Sequence, residues 1–143
     1  MKNSKTVLID RHPGRSAQTI GLANALGTDP ALIHEPSVGV VGTKGDSQCY
    51  LGVAEKVAAI HDALKGRIGR EAGKLPFRLV QPEFTIATSD GVRNGTPEMR
   101  YSLIGREVTN DALCEHLAAT GLAGTIAVVA CDKPPGGTLA ALL

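Results

Sequence analysis

The sequence predicts an α/β fold with a mostly parallel sheet flanked by helices. Two observations predict it. Short apolar runs of strand length alternate with segments whose apolar residues recur every three or four positions. Turn-rich stretches separate them, and the order reads strand, helix, strand, helix, strand, helix. Strands joined through helices pair in parallel, because the helix returns the chain to the starting end of the sheet.

The elements follow in order. Residues 1–14 read as a lead-in that ends at Pro13-Gly14. From Ser16, an N-cap residue type, Ile20, Leu22, Ala23 and Leu26 form a weak helical pattern closed by Gly27. Asp29-Pro30 and Glu35-Pro36 bracket a connection, so 1–36 is a lead-in with one helix and 37–143 the α/β domain. Val38 to Gly42 is a short apolar run and reads as a buried strand. Val53, Val57, Ile60, Leu64 and Ile68 step by four and three, the stripe of an amphipathic helix that Gly69 and Gly73 end. Phe77 to Val80 and Phe84 to Ala87 are strand-like, with Gln81-Pro82 between them and the second piece as the main strand. A loop is expected from Ser89 to Pro97. A helix follows over 105–119 through Val108, Leu113 and Leu117, with Gly121 as its stop. Thr125 to Val129 is the cleanest strand. Thr138 to Leu143 reads as the first turns of a last helix.

Composition limits the function classes. The chain has 143 residues, 15 Lys and Arg against 14 Asp and Glu, and 43% hydrophobic residues. That suits one globular domain with a packed core. A formal charge of +1, two Phe, two Tyr and no Trp argue against a nucleic-acid surface. No apolar run approaches the roughly 18–20 residues of a membrane span. Near the N-terminus the apolar run Val7 to Ile9 is too short for a signal-peptide core, which points to the cytoplasm. Cys49, Cys114 and Cys131 are odd in number and form no C-x-x-C pair, so neither a disulfide framework nor a zinc ribbon is indicated.

In parallel α/β sheets, ligands bind beyond the carboxyl ends of the strands. Three polar segments fall there: Lys44 to Cys49, Ser89-Asp90-Gly91, and Cys131-Asp132-Lys133. Together they offer two thiols, two carboxylates and an amine. Thiolates suit iron–sulfur clusters or zinc, and carboxylates suit magnesium. Each residue also has a plain structural reading. Cys49 and Cys131 serve equally as small apolar fillers, Asp90-Gly91 as a turn, and Asp132 with Lys133 as a solvated pair. Pro134-Pro135-Gly136-Gly137 reads as a stiff turn, and its spacing is wrong for a phosphate loop. A Cys131 nucleophile activated by Lys133 lacks a nearby histidine base. Cys114 lies about nine residues into its helix, roughly 13 Å from the sheet edge, and is expected in the core.

Two separated motifs resemble one known family. SDGVRNGTPEMRYSLIGREVTNDAL and, a strand later, VVACDKPPGGTLAAL are similar to the N-terminal part of the dihydroxy-acid dehydratase / phosphogluconate dehydratase family. The matching residues are Ser89, Asp90, Gly91, Gly95, Thr96, Met99, Tyr101, Ser102, Leu103, Arg106 and Glu107, then Cys131, Asp132 and Lys133. Arg15-Ser16 and the helix leading to Gly27 extend the likeness over nearly the whole chain. The resemblance implies a hydro-lyase that dehydrates a 2,3-dihydroxy acid or sugar acid to a 2-oxo acid. It implies an iron–sulfur cluster, with Cys49 and Cys131 matching two of three ligands, and Mg2+, with Asp90 and Asp132 matching ligands. Lys133 matches a lysine that can be carbamylated. The chain departs from the family where Tyr50, Leu51 and Gly52 follow Cys49, and where Pro97-Glu98 and Pro134-Pro135-Gly136 stand.

Family enzymes are several times longer. The third cysteine, a further magnesium ligand, the catalytic serine base and a C-terminal domain are expected beyond Leu143. The chain is thus expected to be an incomplete N-terminal domain of a larger enzyme, either a fragment or one subunit. The expected partners are a small dihydroxy acid and the remainder of the enzyme or a partner subunit, with a homo-oligomer when complete. The alternatives are a non-catalytic iron–sulfur-binding or assembly subunit, and an inactive remnant.

Overall fold

A computed structural model describes residues 35–71, 73–81, 84–88 and 90–143, together with isolated positions between 18 and 32. Of the expected first helix, Gln18, Ile20, Gly21, Asn24 and Ala25 are helical, and its remaining positions lie outside the described residues.

The central strand is β1, Ser37–Lys44, buried along its length except at Lys44. Its side chains alternate between two layers, as a pleated strand requires. Val38 and Val40 face α1, Val53–Arg70, where Val53 and Val57 are buried and Ile60, Leu64 and Ile68 pack alongside. The stripe read from the sequence is therefore the buried face. Each fully buried valine contributes about 1.5–3 kcal/mol. Gly69 does not stop this helix. It runs on to Arg70, and Gly73 follows in the left-handed region at φ +83°.

Val41 faces the opposite layer, where Ile86 and Leu113 are buried with it and Phe84, Leu117, Ala127 and Ala141 pack around them. This layer contains α3, Ser102–Thr120, and α4, Pro134–Leu142. Gly121 caps α3 in the left-handed conformation, with its N–H donated to the Leu117 carbonyl, as its position in the sequence suggests.

All pairings of β1 are parallel. Along one side runs β4, Gly124–Val128. The other side is divided between β2, Leu79–Val80, and β3, Phe84–Ala87. Leu79 stands opposite Ser37 and Phe84 opposite Val41, so the register slips by one residue between them. The carbonyls of Pro36, Val38 and Lys44 accept from Arg78, Gln81 and Thr88, whereas that of Ser37 accepts from Ala123. This parity places β2 and β3 on one edge, as a single strand interrupted where the sequence has Gln81-Pro82.

Two further expectations change. The stretch after Ser89 contains a single turn of helix, α2, Asp90–Arg93, and a 3-10 segment at Pro97–Tyr101. The Pro134-Pro135-Gly136-Gly137 segment is the first turn of α4 and not a stiff connection before it. Proline suits that place because its φ is helical and its missing N–H would have no intrahelical partner. Gly137 then allows α4 to lie close on α3. A β-carbon there would stand 3.1 Å from Thr109 Cβ and press on the Arg106 carbonyl. Among the described residues, no helix is long and apolar enough to cross a membrane.

Candidate functional site

Three chain segments leave the carboxyl ends of the strands on one edge of the sheet. After β1 the chain forms a 3-10 turn, Gln48–Tyr50, in which Tyr50 is buried and Cys49 exposed. After β3, Asp90 opens α2 and Gly91 follows it. Ser89 and the side chain of Asp90 lie outside the described residues. After β4 come Cys131, Asp132 and Lys133, directly before α4.

These segments meet in a cleft of about 410 Å³ lined by Cys49, Gly91, Asn94, Met99, Cys131 and Asp132. Both thiols are free. A smaller groove of about 230 Å³ opens at Thr88, Arg93, Tyr101 and Ile104, and offers neither thiol nor carboxylate. The donor chemistry therefore belongs to the larger cleft.

Local packing explains how the turns are held. Gly91 is not in a left-handed turn, and its small size serves a close approach. A β-carbon there would collide with the Ser47 side chain and lie 3.6 Å from Cys49 Sγ. The Asp-Gly pair thus lets α2 rest directly on the turn that carries Cys49. The Ser47 hydroxyl beside it is buried without a hydrogen-bond partner among the described residues.

Cys131 is held differently. Its φ is +72°, and it is the one non-glycine residue with positive φ among those described. This conformation costs of order 1–3 kcal/mol and persists where the surroundings over-determine it. Lys133 and Asp132 form an ion pair through Nζ and Oδ2. The Asp132 side chain is 69% exposed and that of Lys133 26%, so the pair adds only about 0–1 kcal/mol. Lys133 does not line the cleft itself and reaches it through Asp132.

Cys114 departs from expectation. It is exposed, and its sulfur contacts Asn110 Oδ1 at 3.8 Å. Adjacent Leu113 is fully buried and takes the core position. The next residue on a helix is rotated by about 100°, which turns Cys114 to the surface. Val108, expected in the buried stripe, is likewise exposed.

Sequence reasoning missed Asn94 as a lining residue and gave Met99 only through the family likeness. Asn94 lies in the stretch Ser89 to Pro97 expected to be a loop and Met99 just beyond it, in the 3-10 segment, and neither the α2 turn nor that segment has a strong local signal.

The donor set fits a soft metal centre beside a hard one in kind: two free thiols and a carboxylate share one cleft, and the buried Ser47 hydroxyl against Gly91 has no hydrogen-bond partner among the described residues. Among the described residues, no group of three or more His, Cys, Asp or Glu side chains converges on a metal position.

The chain is a parallel α/β unit with two thiols and a carboxylate in a cleft at the carboxyl edge of its sheet. The family model for the N-terminal region of dihydroxy-acid/6-phosphogluconate dehydratases matches residues 35–143. The chain is 32% identical over 138 residues to the dihydroxy-acid dehydratase of Prochlorococcus marinus strain NATL2A, covering 96% of this chain and 22% of that one. It is 33% identical over 134 residues to the dihydroxy-acid dehydratase of Nitrosospira multiformis, covering 93% and 22%. Against that of Chloroflexus aurantiacus strain J-10-fl it is 33% identical over 141 residues, covering 98% and 23%. The chain belongs to the dihydroxy-acid/6-phosphogluconate dehydratase family, a family of hydro-lyases. It spans about a fifth of the length of these relatives.

Proposed function

We propose that this chain supplies part of the metal-bearing site of a dehydratase that converts a 2,3-dihydroxy acid or sugar acid to a 2-oxo acid. The observation that carries this reading is the meeting of Cys49 and Cys131 in one cleft, with Asp132, next to Cys131 in the chain, also in its lining. Cys49 and Cys131 would hold an iron–sulfur cluster, with the remaining ligand from outside the described residues. Asp132, with Asp90 at the start of α2, would hold Mg2+. The cluster would supply a Lewis acid for the departing 3-hydroxyl, and Mg2+ a seat for the carboxylate and 2-hydroxyl.

The chain's own residues bind and orient. Met99 gives the cleft an apolar wall, and Asn94 offers an amide to a substrate hydroxyl. Lys133 now pairs with Asp132 and so neutralises a carboxylate intended for a cation. Carbamylation of that amine would exchange the positive charge for a further oxygen donor and free Asp132. The base that removes the substrate proton, the rest of the enzyme and its oligomeric assembly lie outside these residues.

Anaerobic reconstitution of the 143-residue chain with iron and sulfide tests the ligand assignment. Cys114→Ser should keep the iron and sulfide content of the parent, and Cys49→Ser and Cys131→Ser should lose it. Equal content in all four chains ends the reading. Iron uptake without turnover of 2,3-dihydroxy acids in the assembled enzyme would favour a cluster-carrying subunit instead.

A further inference from the structure

We infer that Thr43, deep in the sheet, is a positioning residue for Cys131. The inference rests on the reading of Cys131 as a site residue. β4 ends at Val128, and two residues later the N–H of Ala130 has left the strand ladder. It is donated instead to Thr43 Oγ1 at 3.0 Å, across 87 positions of sequence. Thr43 is only 1% exposed, and the bond is partly buried. The next residue is Cys131, with its left-handed backbone.

A strained conformation needs fixed points on both sides. Thr43 is the upstream point. The downstream point is the start of α4, where Pro134 is fully buried and the Gly137 N–H is donated to the Lys133 carbonyl at 3.2 Å. Between these two points lie Cys131 and Asp132, the residues of this segment that line the cleft. Valine in place of Thr43 keeps the shape and removes the acceptor. Serine keeps the acceptor and removes a methyl group.

The test uses the 143-residue chain carrying Cys114→Ser, with the two remaining thiols read separately by mass spectrometry after alkylation. Thr43→Val should speed exchange of the Ala130 amide about tenfold, the loss of one hydrogen bond. It should shift the alkylation rate of Cys131 about threefold or more while that of Cys49 stays within about twofold. Thr43→Ser should restore both readouts. A Cys131 rate unmoved by Thr43→Val, a failure of Thr43→Ser to restore it, or an equal shift at both thiols overturns the assignment. If Thr43→Val does not fold, adding Cys131→Gly, which removes the strain, should recover folding; no recovery overturns it too. Binding of Cd2+ to the Cys131→Ser chain separates the two claims. Unchanged Cd2+ affinity there ends the ligand reading and leaves the exchange and alkylation results for Thr43 standing.

Discussion

The two edges of the sheet reach the cleft by different routes. On one side of β1, β4 pairs without interruption from Gly124 to Val128. It hands the chain to a strained cysteine, a partly buried hydrogen bond to Thr43 and a proline-started helix. On the other side, β2 and β3 share the edge with a one-residue slip, and short helical pieces follow. The continuous edge fixes its site residues through backbone geometry. The interrupted edge fixes its own through close packing, Gly91 against Ser47 and the Phe84 ring stacked on His116 at 3.9 Å. A ligand site assembled from both edges therefore depends on two kinds of constraint, and each fails in its own way.

The largest effect is expected on the continuous edge. Gly137→Val puts a branched side chain where α4 meets the α3 backbone, and overpacking of this kind costs roughly 2–3 kcal/mol. The urea midpoint of the chain should fall accordingly, with the α4 amides exchanging first. A variant as stable as the parent would mean that α4 is not held through this contact.

Gly91→Val probes the other edge. It should cost less, about 1–2 kcal/mol, because α2 is a single turn with room to lift. Its local consequence should be selective. Lifting α2 exposes Ser47 and changes the alkylation rate of Cys49, and Cys131 should keep its rate. Equal change at both thiols would erase the distinction between the edges.

Cys131→Gly sharpens the comparison in the opposite direction. Glycine adopts φ near +72° without steric cost. The cluster-free chain should become more stable by about 1 kcal/mol, read by thermal or urea unfolding. A loss of stability would show that the thiol contributes packing that outweighs the strain.

The smallest effect concerns pH. Burial lowers the pKa of His116 below its ordinary 6.5, because the cation is poorly solvated against Phe84. Its Nε2 has no hydrogen-bond partner among the described residues. The unfolded chain takes up a proton near 6.5 that the folded chain refuses. The stability His116 contributes is present above that pH and is lost as the pH falls through 6.5 toward the lower folded value. His116→Phe should flatten the dependence of unfolding free energy on pH in that window. An unchanged slope would mean that the ring titrates freely.

Much of this architecture was legible in the residues themselves. The stripe from Val53 to Ile68, the Val38 to Gly42 run and the Gly121 stop each carry their signal within one turn or one strand. The convergence of Cys49 and Cys131 followed from strand order alone, since parallel strands deliver their following segments to the same edge. Cys114 was misplaced because α3 is weakly amphipathic: Leu103, Ile104 and Val108 are exposed apolar residues, and they blur the stripe that Leu113 defines.

Local sequence determined the main strands and the two long helices, their parallel order and the edge at which the two thiols and Asp132 gather, because periodicity, capping and turn residues act over a few positions. Tertiary structure alone decided that β2 and β3 share one edge, that Gly91 serves a close approach and not a turn, that Cys131 is left-handed, and that the Ala130 N–H before it is donated to Thr43. Those features arise from contacts between residues distant in the chain, and no local pattern encodes a hydrogen bond across 87 positions.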